Sequence, residues 1–278
     1  MDNNSLFQAS KLVAMGAICG DIVGSAFEWD PTKDVDFPLL SSDSMFTDDT
    51  VCTIALADAL ESNRDYAEVL QRWCRRYPRA GYGGTFQKWI VTDNPFPYNS
   101  WGNGSAMRVS PAGAIATSLD EAMRLAKESA EITHNHPEGI KGAQATAVAI
   151  FYALRGMDKR GIKDVVEIGF GYDLSRDYRK IQRDYRFDVS CQGSVPEAII
   201  AFLNSTDFES AIRLAVALGG DADTQAAIAG GIAAAYYKEI PDYILDECRK
   251  RLPIDMLQTL DNFTRRLAET YGKDKHKY

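Results

Sequence analysis

The sequence predicts an all-α protein formed by one compact bundle of helices. Apolar residues recur at the helical period through most of the chain, and strand-like alternation is rare. Small residues are dense in the predicted helices, as in AAIAGGIAAA, and permit close helix approach. No linker composition or fixed-period repeat divides the chain, so a single domain over 1–278 is expected. Four prolines stand where first helical turns are expected to begin: Pro137, Pro196, Pro241 and Pro253.

Three helices are predicted in the first part of the chain. The first covers about 6–26 and carries a face of small residues. The second covers 49–62, where Asp49 or Thr50 is placed to cap the first turn. The third, at 65–77, is amphipathic.

The remainder of the chain continues the helical pattern. The best strand candidate is 164–170, which fits a helix equally well. Segments 78–104 and 169–194 are rich in Pro, Gly and Asn and are predicted to be long loops, which are often functional. The tail 273–278 is expected to be frayed. The further helices are predicted at about 105–117, 120–132, 137–155, 195–203, 207–217, 222–237, 242–250 and 254–271.

Composition indicates a soluble globular protein. The chain is 45% hydrophobic and 25% charged, which is typical of a folded domain and not of a disordered or fibrous one. Its net charge of -8, without a dense basic stripe, argues against general nucleic-acid binding. The charge balance instead suits small-molecule or metal chemistry, and we expect a monomer.

The cysteines and the chain start favour a cytoplasmic location. Five scattered cysteines with no CxxC pair fit reduced thiols, and they offer no zinc-binding pattern. The polar, acidic N-terminus is unlike a signal peptide, and Asp21 interrupts the apolar run that follows it. The longest uncharged apolar run near the C-terminus is too short to cross a bilayer, so no membrane association is expected.

Two acid–hydroxyl clusters lie inside apolar sequence, each just before a predicted helix. The first is Thr47-Asp48-Asp49, and the second is Asp221-Ala-Asp223-Thr224. Each can be explained as a helix N-cap, since Thr and Asp are favoured there. Capping needs only one side chain, however, and each cluster offers two acids and a hydroxyl. A second role is therefore indicated.

A metal centre explains both clusters if they meet in the fold. Two carboxylates about 4 Å apart repel by roughly 4 kcal/mol at an effective dielectric constant near 20. No Lys or Arg is adjacent in sequence to neutralise the four acids. Two divalent cations would cancel their charge, and oxygen ligands without imidazole or thiolate favour Mg²⁺, Mn²⁺ or Ca²⁺ over zinc.

Five motifs in order resemble the ADP-ribosylglycohydrolase family, which includes the dinitrogenase reductase-activating glycohydrolases. Together they span 16–231, most of the chain. The motifs are GAICGDIVGSAFE, FTDDT, GNGSAMRVSP, THNHPEG and GGDADTQAAIAGG. The resemblance implies an all-α bundle with a binuclear Mg²⁺ or Mn²⁺ site at converging helix ends. It also implies hydrolysis of the N- or O-glycosidic bond of ADP-ribosylated targets. The implied metal ligands are Thr47, Asp48, Asp49, Asp221, Asp223 and Thr224.

Glu28 is the catalytic candidate that the resemblance implies. By itself it fits equally well a solvated acid past a helix end. The matching Glu of the family lies on a flap over the metals, and a carboxyl group can protonate a leaving group or activate water. Asp21 matches a recurrent acid of the family, and we expect it to support the ligands.

The substrate-binding candidates come from two further motifs. The segment SWGNGSAMR alone predicts a turn capped by Ser105, but its glycines also suit an anion site. The resemblance assigns pyrophosphate binding to this loop, and Trp101 or Tyr98 could stack on adenine. His134 alone fits a helix-end cap, and the resemblance places it near the phosphates and ribose. The implied binding residues are Gly102, Asn103, Gly104, Ser105 and His134.

Two functions follow from the sequence. The favoured one is a hydrolase that releases ADP-ribose from a modified protein or small-molecule conjugate. Arginine-linked ADP-ribose is the preferred substrate, with serine-linked, other-acceptor and free-nucleotide substrates open. The alternative is a protein of the same fold that binds ADP-ribose or a nucleotide without cleaving it. The complete acid set and Glu28 favour activity.

Overall fold

The computed structural model describes residues 2–272, where it has fifteen α-helices, one isolated β-bridge and no β-strand. The all-α prediction is therefore confirmed. The helices are α1 Asn3–Gly24, α2 Asp48–Ser62, α3 Tyr66–Arg76, α4 Gly84–Val91, α5 Gly104–Met107, α6 Ser110–Ile115, α7 Leu119–Glu131, α8 Pro137–Leu154, α9 Lys159–Phe170, α10 Tyr178–Asp184, α11 Cys191–Asn204, α12 Phe208–Val216, α13 Ala222–Tyr237, α14 Asp242–Lys250 and α15 Ile254–Gly272.

The structure corrects the predicted extent of the loops. The strand candidate 164–170 lies inside α9, and the predicted loops 78–104 and 169–194 contain the short helices α4 and α10. The single helix predicted at 105–117 is two helices, α5 and α6. Pro111 in the first turn of α6 has no N–H to donate to the carbonyl of Met107, so one continuous helix is not favoured. The predicted frayed tail 273–278 lies outside the described residues.

Two helix starts also differ from the prediction. Thr47, and neither Asp49 nor Thr50, caps α2, because its hydroxyl accepts the N–H of Asp49. Helix α11 begins at Cys191 with Ser190 as its cap, so Pro196 lies inside the helix and not at its start. The other three prolines stand at or immediately before α8, α14 and α15, as predicted.

Helices α1 and α13 form the antiparallel pair at the centre of the core. Their small residues let the two backbones touch: a Cβ added at Gly20 would lie 2.0 Å from the carbonyl oxygen of Ala226. Gly24 stands against Ala222 in the same way. The C-terminal end of α1 therefore lies beside the N-terminal end of α13. Helices α8, α11 and α12 cover other sides of α13.

Among the described residues, only Asn3–Phe27 is long and apolar enough to cross a membrane. Of its most apolar window, 72% is buried inside the protein, mainly against α13. The central helix of a soluble protein meets the same criterion. The absence of membrane association stays a prediction.

We expect Gly20→Ala to destabilise the protein, although alanine is normally favoured over glycine in a helix. The added methyl has no space against Ala226, so overpacking should cost about 1–3 kcal/mol or more. Thermal unfolding of the variant measures this. The matched control is Gly169→Ala in α9, where no atom lies within 4 Å of the added Cβ. The control should be neutral or gain up to about 1 kcal/mol. A stable Gly20→Ala variant would contradict the close approach of α1 and α13.

Candidate metal centre and active site

Three helix ends bring the two predicted acid clusters together. Asp21 comes from the last turns of α1, and the other residues come from the starts of α2 and α13. The carboxylate oxygens of Asp21, Asp49 and Asp223 lie within 4.8 Å of one another. The hydroxyl of Thr224 lies 3.4 Å from Asp49 Oδ2 and so joins the second cluster to the first. The two acid–hydroxyl clusters, which lie far apart in the sequence, thus form one site.

A second acidic group shares Asp223. The carboxylate oxygens of Glu28, Asp221 and Asp223 lie within 4.8 Å of one another. Asp48 belongs to neither group of three but lines the same cavity, with a partly exposed side chain. Asp223 therefore lies between two sets of oxygen donors.

Asp21 organises the start of α2. Its Oδ2 accepts the N–H of Thr47 at 2.9 Å and of Thr50 at 3.1 Å, and also the Thr50 hydroxyl. Its Oδ1 accepts the Thr47 hydroxyl at 2.7 Å. Both oxygens therefore already accept hydrogen bonds, although Asp21 also belongs to one of the two acid groups, and its supporting role stays a prediction. The sequence suggested Thr50 only as a possible helix cap and not as a partner of this acid.

The carboxylates of this site lack cationic partners. Within residues 2–272, no Lys, Arg or His forms a salt bridge with Glu28 or with any of the five aspartates. Asp49 Oδ1 is buried and has no hydrogen-bond partner in that range. Burying an ionised group without compensation is costly. The arrangement therefore requires either protons or cations.

Burial and mutual repulsion raise the pKa values of these acids. Burial, with repulsion from Asp223, raises the pKa of Asp21 to about 7. Burial, with repulsion from Asp223 and Asp21, raises the pKa of Glu28 to about 7. The same causes hold the pKa values of Asp48 and Asp49 well above their usual range. Metal-free, the site is expected to hold protons near neutral pH.

The donor set fits hard divalent cations. Carboxylate and hydroxyl oxygens surround the site, and the partnerless Asp49 Oδ1 has the place of a ligand atom. No Cys or His joins either described group of acids, which argues against zinc. Of the predicted ligands, Asp49, Asp221 and Asp223 belong to the two acid groups, beside Asp21 and Glu28. Thr224 lies next to Asp49 Oδ2, Asp48 lines the same cavity, and the Thr47 hydroxyl donates to Asp21, so the complete ligand set stays a prediction.

A cavity of about 590 Å³ opens above the acids. The segment Gly81–Phe86 at the start of α4 lines one part of it, and Gly102–Gly104 lines another. Phe187 and Val189 from the 169–194 segment also contribute. Both predicted long loops therefore take part in the site. The lining by Gly81–Phe86, Phe187 and Val189 was not predicted, although the glycine-rich GYGG was a visible signal.

The residues of the loop before α5 have two roles, lining the cavity and hydrogen bonding to neighbouring side chains. Gly102 and Gly104 face the cavity, while Asn103 Nδ2 donates to Asp221 Oδ2 at 2.7 Å and to Ser194 Oγ at 3.0 Å. Asn103 therefore also orients an acid, which the sequence did not indicate.

Ser105 does not present its side chain to the cavity. Its fully buried hydroxyl donates to the carbonyl of Gly139 at 2.7 Å, which ties α5 to α8. Helix α5 has only four residues, so the helix-dipole part of the anion-site argument is weak here. Phosphate binding by this loop would depend on backbone N–H groups other than those of Gly102 and Asn103, which already donate to Ser100 Oγ and to the carbonyl of Val189.

His134 lies beside the same loop as a neutral imidazole. Burial, with the nearby Arg108 charge, holds its pKa well below the usual range. Arg108 donates to Thr133 Oγ1 at 2.9 Å, and this hydroxyl lies 2.7 Å from His134 Nδ1. The hydroxyl proton is thus available to Nδ1, which favours the tautomer with the proton on Nε2. That nitrogen lies near Gly102 and Gly104 and can donate to a ligand oxygen. His136, by contrast, caps α8.

The fold and the site define a class: all-α proteins with an acidic cation-binding cavity at converging helix ends. The ADP-ribosylglycohydrolase family model matches residues 4–276, and the chain belongs to this family. The resemblance inferred from the five motifs is confirmed.

Two named relatives match most of this chain. ADP-ribosylhydrolase ARH3 of Homo sapiens is 27% identical, with 87% of this chain and 89% of the relative covered. ADP-ribosylarginine hydrolase Tri1 of Pseudomonas putida strain GB-1 is 27% identical, with 82% of this chain and 70% of the relative covered. A solved structure of an ADP-ribosylglycohydrolase-related protein complex matches with a TM-score of 0.67 at 26% identity, covering 96% of this chain and 98% of that chain.

Divalent cations should stabilise this protein, and more strongly at alkaline pH. Carboxylates whose pKa is raised in the folded state favour folding while protonated. This contribution is lost as the pH rises from about 4 towards 7. We therefore expect the melting temperature of metal-free protein to fall over that window. Mg²⁺ or Mn²⁺ at 100 times Kd should restore roughly 2.7 kcal/mol.

The variant Asp221→Asn tests this prediction against Asp164→Asn, a change of an exposed acid in α9. Differential scanning calorimetry at pH 5.5 and 8, with and without Mn²⁺, provides the measurement. The first variant should lose most of the metal-induced rise, and the second should keep it. Equal rises in both variants would mean that the cation binds elsewhere.

Proposed function

We propose that the protein is a metal-dependent hydrolase that cleaves the glycosidic bond between ADP-ribose and an acceptor, with arginine-linked ADP-ribose preferred. The observation that carries this proposal is the meeting of Glu28 with Asp221 and Asp223 beside the Asp21–Asp49–Asp223 group. A cleavage site with a carboxyl group and oxygen ligands for cations suits hydrolysis of a sugar conjugate.

The cavity suits a dinucleotide-like ligand. Its volume of about 590 Å³ lies within the usual range of small-molecule sites. Its only lining guanidinium among the described residues, that of Arg108, donates to Gly104 O, Ser129 O and Thr133 Oγ1. Pyrophosphate would therefore rely on backbone N–H groups of the glycine segments and on the Nε2–H of His134.

Divalent cations have a defined role in the proposed reaction, because the acids could hold them. When bound, two Mg²⁺ or Mn²⁺ ions would offset most, but not all, of the negative charge of the six acids and would polarise substrate oxygens. Burial and repulsion from Asp223 and Asp21 together raise the pKa of Glu28. Bound cations would offset the repulsion, so Glu28 should ionise at a lower pH in the loaded enzyme.

Glu28 is proposed to move the proton of the attacking water. In arginine-linked ADP-ribose the guanidinium is already cationic, so it leaves as a neutral guanidine without prior protonation. The bond from the anomeric carbon to nitrogen breaks and its electron pair goes to nitrogen. A bond from water oxygen to the anomeric carbon forms. Glu28 accepts the water proton and passes it to the departing guanidine.

Two observations support the arginine-linked substrate. The relative Tri1 is named an ADP-ribosylarginine hydrolase. The cavity is lined by acids and offers a negative environment to a cationic acceptor. The complete set of acids also favours turnover over mere binding of ADP-ribose. We further propose that the protein acts in the cytoplasm, as a monomer, without membrane or general nucleic-acid binding.

A substrate panel tests the proposal directly. Peptides carrying ADP-ribose on arginine or serine, and free ADP-ribosyl nucleotides, are incubated with protein, and released ADP-ribose is quantified. We expect release from the arginine-linked peptide that stops after chelation and returns with Mg²⁺ or Mn²⁺. Tight ADP-ribose binding without release from any conjugate would instead support the non-catalytic alternative.

Glu28→Gln should lower kcat by about 10²–10⁴-fold. The amide keeps the size of the side chain but cannot accept the water proton, so ADP-ribose affinity should stay nearly unchanged. For the wild type, kcat should rise with pH through the pKa of Glu28, and this limb should vanish in the variant. The pH profile and calorimetric ADP-ribose binding measure both effects. Wild-type turnover by Glu28→Gln would disprove the assigned role.

Gly104→Leu should weaken ADP-ribose binding while leaving metal binding intact. A Cβ at this position would lie 3.1 Å from His134 Nε2, and a larger side chain would extend into the cavity. Calorimetry with ADP-ribose and the Mn²⁺-induced rise in melting temperature separate the two effects. Parallel loss of both would mean that the glycine only maintains the fold.

A further inference from the structure

Exposed aromatic side chains are concentrated at the mouth of the cavity. Trp29 is 81% exposed, and Phe187 and Trp101 are about half exposed, yet all three line the cavity. The rings of Trp29 and Phe187 stack, with centroids 6.0 Å apart and an interplanar angle of 25°. Tryptophan is largely buried on average, so an indole left in water beside a site needs an explanation.

The position of this pair relates it to the acceptor side of the substrate. Trp29 follows Glu28, whose carboxylate lies within 4.8 Å of those of Asp221 and Asp223. ADP-ribose would fill the cavity, so the acceptor must leave the cleaved bond towards the mouth, past Glu28. Trp29 is the residue after Glu28 and lines the same cavity with Phe187, so this pair is placed to contact the acceptor.

The loop that carries Phe187 is anchored to the opposite wall. The carbonyl of Val189 accepts the N–H of Asn103 at 2.8 Å, and Gly102 forms an isolated β-bridge with Ser190. The backbone that follows Phe187 is therefore fixed relative to the proposed phosphate loop. A surface of this kind can select the acceptor that is attached to a bound ADP-ribose.

Charge and shape indicate which acceptor fits. Aromatic faces attract planar cations, and guanidinium stacks on them better than ammonium does because it is flat and weakly hydrated. The acids below the mouth add negative charge. Of the nearby cations, Lys33 donates to the carbonyls of Tyr185 and Leu218, and Arg186 is not among the lining residues. Neither would compete for the aromatic surface.

We propose that Trp29 and Phe187 form the acceptor-binding platform, on which the guanidinium of an ADP-ribosylated arginine stacks. This inference rests on the proposed function and names the residues that set its specificity. The guanidinium stacks on the face of the exposed Trp29 indole that points away from Phe187, and the ring of Phe187 packs against the other face.

The test compares two peptides of one sequence that carry ADP-ribose on arginine or on serine. Metal-loaded wild type, Trp29→Ala, Trp29→Phe and Phe187→Ala are assayed for kcat and KM, and ADP-ribose affinity is measured by calorimetry. The matched control is Phe96→Ala, because Phe96 is 85% exposed but does not line the cavity.

Trp29→Ala and Phe187→Ala should raise KM for the arginine-linked peptide by about 3- to 30-fold, the size expected for a cation–π contact. ADP-ribose affinity should stay within about twofold of wild type. Trp29→Phe should retain most of the wild-type KM, and Phe96→Ala all of it. Since Trp29 is exposed, its removal should leave the melting temperature unchanged.

Several results would overturn the platform. An unchanged KM, or an equal rise for both peptides, would exclude guanidinium recognition by these rings. If ADP-ribose affinity falls as much as KM rises, the two rings bind the nucleotide and not the acceptor. If only kcat falls, the rings act by positioning Glu28. Cleavage of the serine-linked peptide only would also refute it. These outcomes leave the hydrolase intact, whereas a wild type that cleaves no conjugate refutes both proposals.

Discussion

The direct backbone contact between α1 and α13 is the constraint on which the site depends. With glycine at positions 20 and 24, the antiparallel helices approach until backbone atoms touch, and the end of α1 meets the start of α13. Asp21 and Asp223 are carried on those two ends. A wider separation would draw the carboxylates apart. The packing of the core and the geometry of the acids are thus one and the same feature.

The clustered acids make an unfavourable electrostatic contribution to stability at the centre of the protein. Six acidic side chains share a partly buried site without a salt bridge among the described residues, and burial and mutual repulsion raise the pKa values of most of them. Protonation reduces the repulsion between these carboxylates at low pH, and divalent cations can reduce it at neutral pH. Stability and cation binding are therefore linked, because the groups that repel one another are those that would bind the metal.

The proposed aromatic platform of Trp29 and Phe187 would add a second level of selection to this centre. In the proposed function, the acids and glycine segments bind the part of the substrate that all ADP-ribosyl conjugates share. Trp29 and Phe187 lie further out, beside Glu28, where the conjugates differ. Two segments that are distant in sequence supply these rings, so the acceptor preference can change without altering the carboxylates.

The sequence by itself determined the helical class, most helix positions and the two acid clusters, since periodicity, capping residues and charge are local properties. It misplaced the start of α11 and overlooked α4 and α10, because short helices inside glycine-rich segments give weak periodicity. Only the tertiary structure decided three contacts. Asn103 donates a hydrogen bond to Asp221, and Ser105 donates one to the carbonyl of Gly139. The ring of Trp29 stacks on that of Phe187. Those contacts join residues far apart in the chain, and their partners are chosen by packing, which no local pattern encodes.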